Sequence, residues 1–294
     1  MKALMALLDI IRPILPKKFR EKPVIIPTVR LSGPIAFSQG YKPSLSIATA
    51  AGPLKKAFSI KDAPAVAIVV NSPGGSPVQS NLIFKRIRAL AEENEKKVIV
   101  AVEDVAASGG YMIAVAGDEI IADRSSIVGS IGVISAGFGF TGLIEKLGVD
   151  RRVYTAGKNK MILDPFQPEK KADIQYLKDL QLEIHEMFVD LVKSRRGDVI
   201  SGDENEVFSG RFWTGETGQS LGLVDRIGDL RSYVKERYGE KAELKTIGSG
   251  GGLLRRPPAA GVASDMNLDS IGAGFADQII TQAEERALWS RYGL

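Results

Sequence analysis

The chain has 294 residues, 44% hydrophobic and 25% charged, with a mean hydropathy of +0.00 and a formal net charge of +4, a composition that suits one large globular domain or two small ones. It holds no cysteine and a single histidine, which excludes a disulfide framework, a cysteine nucleophile and a thiolate metal site and makes a zinc centre a poor fit. The charge is local: residues 1–22 carry six basic and two acidic side chains, and the remaining 33 basic and 33 acidic residues cancel, so no general footprint for nucleic acid exists.

The first segment, MKALMALLDIIRPILPKKFREK, places Leu4, Leu7, Leu8, Ile11 and Leu15 at helical spacing ahead of Lys17, Lys18 and Arg20. A membrane span needs about 20 apolar residues, and Asp9, Arg12 and Pro13 interrupt this run. Nor does it show the apolar region and small-residue cleavage site of a signal peptide. It reads as an amphipathic basic segment, residues 1–22, that lies on an anionic membrane surface or packs on protein. The corresponding location is cytoplasmic, peripheral on the membrane at most, with an extracytoplasmic one left open.

From residue 23 an α/β pattern is expected. VIIPTVRLSGPI is a first β segment, and a short helix follows around residues 52–58. Ala65–Val70 is a continuous apolar run of the kind that forms a buried parallel strand, ending in the turn Asn71-Ser72-Pro73-Gly74-Gly75. A helix over residues 77–95, a strand over 98–102 and a helix beginning near Ser108 repeat the alternation, which implies a parallel sheet with crossovers on its faces. Further strands are expected at 119–122, 129–134 and 152–155, and a long helix at 168–196. The domain of residues 23–247 is followed by a flexible linker, 248–274, and a C-terminal helix within 275–294.

The only histidine, His185, falls inside the expected long helix beside Met187 and Phe188, and reads as a surface or packing residue rather than the base of a Ser-His-Asp triad. Serine chemistry then requires another base, for which a desolvated lysine is suited, because burial disfavours its charged form. Ala106-Ala107-Ser108-Gly109-Gly110-Tyr111 places a serine where a strand gives way to a helix, with the N–H of Gly109 free to face an oxyanion. A serine before a helix is also an ordinary N-cap, and this motif alone does not separate the two. The Ser72-Pro73-Gly74-Gly75 turn ends the neighbouring strand, at the sheet edge where ligands of open α/β sheets bind.

Four segments, NSPGG, VAASGGYMIAVAGDEIIADRSSIVGSIGVIS, AGKNKMILDPF and GRFWTGETGQSLGLVD, occur in an order that resembles the signal peptide peptidase A, or protease IV, family, over about half of the chain from Asn71 to Asp225. The resemblance implies the Clp-protease and crotonase superfold and a serine endopeptidase acting on hydrophobic peptides without cofactor or metal. Carried over by motif, Ser108 is the nucleophile. Lys160, in Gly157-Lys158-Asn159-Lys160 before Asp164-Pro165-Phe166, is the general base, with Lys158 its competitor. Ser130 orients the base, and the N–H groups of Gly109 and Gly74 form the oxyanion hole. The resemblance also implies a homo-oligomeric ring whose sites lie between neighbours. The rivals are a crotonase-type acyl-CoA enzyme, which needs no Ser/Lys pair, and a non-catalytic membrane-associated scaffold.

Overall fold

Alternation along β2 (Ala65–Ser72) sets the architecture. Val66, Ile68 and Val70 point to one face of the sheet and Ala65 and Ala67 to the other, and all five are fully buried. A strand buried on both faces belongs in the middle of a sheet. The computed structural model, which describes residues 23–36, 44–248 and 286–294, puts it there. The N-terminal segment 1–22, all but the first residue of the linker, and residues 275–285 lie outside the described residues.

The sheet has eight strands among the described residues: β1 (Ile25–Ser32), β2, β3 (Lys97–Ala107), β4 (Glu119–Ala122), β5 (Ile127–Gly129), β6 (Phe212–Thr214), β7 (Arg226–Ile227) and β8 (Glu243–Thr246). They run in the order β6-β5-β3-β2-β1-β8, with β4 and β7 branching from β3, and every pairing is parallel except β5 with β6. The protein is an α/β fold with the crossovers expected of it.

On one face pack α1 (Ile47–Phe58), α2 (Pro77–Glu93) and α3 (Gly109–Ala114), through Leu54, Phe58, Ile83, Ile87 and Ile113, all fully buried. Each such side chain contributes about 1.5–3 kcal/mol by leaving water. Ser76 caps α2, accepting from the Gln79 N–H at 3.3 Å with Pro77 at the first helical position. The other face is covered by α8 (Leu230–Tyr238) through Tyr233 and Val234. Three shorter helices, α4 (Thr141–Lys146), α6 (Glu204–Val207) and α7 (Gly215–Ser220), occupy connections.

The long helix α5 (Lys171–Arg196) is anchored at one end only: its buried residues are Phe188, Val192 and Arg196, one turn apart. Arg196, 5% exposed, donates to the Gly222 carbonyl at 3.0 and 2.7 Å and to Asp225 at 2.8 Å. Asp225 also accepts from the Ile120 N–H at 2.7 Å. A charge this covered is tolerated only when so paired. The other half of α5 and the segment before it, residues 132–187, contribute no residue to the hydrophobic clusters of the sheet. Twelve of the seventeen large apolar side chains exposed among the described residues lie in this arm, Phe138 at 82% and Tyr154 at 91% among them.

Several expected elements shift. The helix expected at 52–58 begins at Ile47, behind Ser46 and Thr49, which form a capping box. The strand expected over 129–134 stops at Gly129, because Ser130 turns to φ +53° and leaves the ladder. Residues 152–155 form no strand, having no partner edge within reach in the exposed arm.

Candidate active site

Three parallel strands end side by side, and each hands its last residue to a turn that carries expected site residues. β2 leads through Ser72 to Gly74, β3 through Ala107 to Ser108 and Gly109, and β5 through Gly129 to Ser130. The ends align because the β2/β3 register shifts between Val70 and Ser72. The Asn71 side chain fills the gap, its amide donating to Asp104 at 2.6 Å and its carbonyl oxygen accepting from the Val105 N–H at 3.3 Å. As a result Ser72 pairs with Ala106, and Ala107 pairs with Gly129.

Ser108 occupies φ 52°, ψ −122°, a sparsely populated region for a residue with a Cβ, which costs on the order of 1–3 kcal/mol and persists only where neighbours enforce it. The enforcement is visible. Its N–H donates to the Gly129 carbonyl at 2.8 Å, and its carbonyl accepts the first helical bond of α3 from Met112 at 3.0 Å. Its side chain makes no capping bond, so the hydroxyl is not spent on the helix, and the N-cap alternative loses its main support. Gly109 opens α3, so its N–H has no intrahelical acceptor. A Cβ on Gly109 would come within 2.3 Å of Ser80 Oγ, and one on Gly110 within 2.4 Å of the Ser72 carbonyl oxygen. The small residues of the motif therefore seat α3 against β2 and α2.

Gly74 has φ +98°, and a Cβ there would lie 2.8 Å from Ser108 Cβ and 2.9 Å from Gly109 N. This turn touches the serine. In the structure the Gly74 N–H donates to Ser72 Oγ at 3.2 Å, and Ser72 Oγ in turn donates to the Gly33 carbonyl at 2.7 Å. Gly74→Ala meets both the positive φ and these backbone contacts. Reaction of Ser108 with a fluorophosphonate is expected to slow on the order of 100-fold in that variant. Wild-type labelling rates would mean that the turn takes no part in the site.

Ser108 and Ser130 line one cavity of about 380 Å³, walled by Val133, Ile134 and successive turns of α5 through Lys178, Leu182 and His185. Ser130 is 6% exposed, and its N–H donates to the Arg211 carbonyl at 2.7 Å. His185, read from sequence as a surface or packing residue, stands in this wall, its Nε2 3.1 Å from the Ile131 carbonyl oxygen. No sequence pattern around it marks that position; it follows from α5 crossing the strand ends. Segment 286–294 also reaches the site. Tyr292 and Trp289 pack with Val105, Ala107 and Ile127 beneath the serine, and Tyr292 Oη is 3.4 Å from the Pro73 carbonyl oxygen.

Lys160 is not in the cavity wall. It lies on the turn Gly157–Leu163 of the arm with its side chain exposed, and Lys158 beside it is exposed as well. The apolar neighbours Met161, Ile162 and Leu163 are only partly covered. Behind the serine, burial pushes the Tyr111 phenol far above its ordinary value, and its hydroxyl donates to the Leu223 carbonyl at 2.9 Å. Tyr111 is thus a neutral structural post of the motif. Among the described residues no group of His, Asp and Glu side chains is placed to hold a metal ion.

The sequence profile of peptidase family S49 matches residues 91–245, a span that includes Ser108, Ser130 and Lys160. The chain belongs to peptidase family S49. Its motif resemblance to signal peptide peptidase A is thereby borne out, as is the Clp-protease and crotonase type of sheet. Among curated relatives, a Na(+)/H(+) antiporter NhaA of Brucella abortus (strain 2308) is 57% identical over 292 residues, 98% of this chain and 40% of that protein. The S49 chain therefore spans less than half the length of that relative. A putative protease of Methanocaldococcus jannaschii is 36% identical over 185 residues, 62% of this chain and 57% of that protein. The chloroplastic serine protease SPPA of Arabidopsis thaliana is 36% identical over 167 residues, 56% of this chain and 24% of that protein. Among the described residues no helix is long and apolar enough to cross a membrane.

Proposed function

We propose that the chain is a serine endopeptidase with a Ser/Lys dyad, cleaving hydrophobic peptides such as signal-peptide remnants or membrane-associated polypeptides. The observation that carries the reading is the strained Ser108, its hydroxyl uncommitted to the helix, between the glycine turn and Ser130 at the shared edge of three strands. Ser108 Oγ attacks the scissile carbonyl and its proton passes to Nζ of Lys160, which Ser130 orients. The oxyanion is held by the N–H of Gly109 and by the Gly74 turn, whose bond to Ser72 Oγ is shared or released as charge develops. The leaving amine takes the proton from the lysine, and water then releases the acyl group. Val133, Ile134 and Leu182 in the cleft favour apolar side chains.

Because Lys160 stands on an exposed arm outside its own cleft, the dyad is assembled between copies, Ser108 from one subunit and Lys160 from the next in a closed ring. The apolar residues of the arm are the surface that such a contact would cover. A second reading has support of its own: Lys178 and His185 share the cleft with Ser108, so a base within one chain is the alternative. A crotonase-type enzyme would use the same oxyanion turns but needs no activated serine. Treatment with a fluorophosphonate followed by peptide mapping tests the central claim. The adduct is expected on Ser108, and a folded protein left unlabelled at Ser108 would sink the peptidase reading.

A further inference from the structure

The turn that carries Lys160 is bounded by positive φ angles, +103° at Gly157 and +55° at Leu163, and lies in the arm that adds nothing to the core of the sheet. Such a turn has no core to hold its shape, yet a proton acceptor must be kept within a fraction of an ångström of its productive place. A small cluster around Arg151 supplies the missing support. Arg151 forms an ion pair with Asp164, whose side chain is only 2% exposed, and its guanidinium lies over the Phe166 ring, 4.5 Å from the centroid. Phe166 packs on Phe140 at 5.5 Å, and the Phe140 N–H donates to the Pro165 carbonyl at 2.6 Å. Asp164 Oδ1 also accepts from the Phe166 N–H at 3.1 Å. On the other side of the turn, Asp173 in the first turn of α5 accepts from the Leu163 N–H at 3.3 Å.

We propose that Arg151, acting through Asp164 and Phe166, is the positioning residue of the lysine turn. The inference rests on the reading of Lys160 as the base. Arginine suits the task because one planar group serves the carboxylate at its edge and the aromatic ring at its face, which an ammonium does not reproduce. The hydrogen bond from Arg151 holds the Asp164 carboxyl below its ordinary value, so the pair is charged at neutral pH. Asp164 Oδ2 is covered and has no hydrogen-bond partner. Without Arg151 the turn must open to hydrate that carboxylate.

The test compares Arg151→Met, Arg151→Lys and Lys160→Ala in the full chain, reading peptide hydrolysis, melting temperature and limited trypsin cleavage after Lys158 and Lys160. Arg151→Met is expected to lower kcat on the order of 100-fold with KM little changed. Its melting temperature should hold, since the arm is outside the core, while trypsin cuts the turn faster. Arg151→Lys is expected to restore little. A kcat within about threefold of wild type for Arg151→Met, or full recovery with lysine, overturns the proposal. An inactive Lys160→Ala beside a fully active Arg151→Met would remove the clamp and leave the dyad standing. An active Lys160→Ala would remove both. Should Arg151→Met fail to fold, Asp164→Asn keeps the shape without the charge, and the same loss of kcat is required of it.

Discussion

Ser108→Ala and Lys160→Ala are each expected to abolish peptide hydrolysis, with kcat falling by on the order of 10³-fold or more, while both variants keep the circular dichroism and melting behaviour of the parent. A nucleophile and its base act as one unit, so removing either costs nearly as much as removing both. The controls are chosen from the structure. Lys158 is the other lysine on the exposed turn, and Lys178 and His185 line the cleft of Ser108 itself, as does Arg291, whose guanidinium stays protonated and is no candidate base. Lys158→Ala, Lys178→Ala and His185→Gln should retain far more turnover than Lys160→Ala. If instead a folded Lys160→Ala is active while Lys178→Ala or His185→Gln is dead, the base belongs to the cleft and the long-range assignment is wrong. Since a lysine base works only when unprotonated, kcat/KM should climb toward alkaline pH. An optimum near pH 5 would point to a carboxylate.

The second large effect is a recovery. Mixing the two inactive variants, Ser108→Ala and Lys160→Ala, and allowing subunits to exchange should restore about one quarter of the wild-type sites if each site draws its serine and its lysine from different copies. Half of the serines and half of the lysines are intact, and their independent pairing gives the quarter. If both groups act within one chain, every site in the mixture keeps a defect. Exchange followed by native mass spectrometry with no regained activity would therefore defeat the shared site and return attention to Lys178 and His185.

The sequence carried the parts of this site that are set by local chemistry. The apolar run Ala65–Val70, the glycine turn after it and the small residues around Ser108 each announce a buried strand or a tight turn on their own, and the structure places them together. Elements defined by partners were harder to read. β6, β7 and β8 are Phe-Trp-Thr, Arg-Ile and Glu-Leu-Lys-Thr, too short for periodicity, and exist because an open sheet edge accepts them. His185 shows the same limit: its surroundings in sequence suit a surface or packing histidine, and its place in the cleft wall depends on where a 26-residue helix crosses the sheet. No strand forms at 152–155, because strand-forming residues do not make a strand where no sheet edge is offered.

The one-ended anchorage of α5 separates two jobs that most enzymes combine. The core of the sheet closes around Arg196 and its partners without residues 132–187, whose large apolar side chains are left largely exposed. On the shared-site reading, dilution is then an off switch: a lone subunit holds a nucleophile and a lysine that never meet, and harm from stray proteolysis is limited by the scarcity of neighbours. Specific activity measured over a dilution series would show this as a fall below the assembly concentration, whereas a flat series would mean that each chain is sufficient alone.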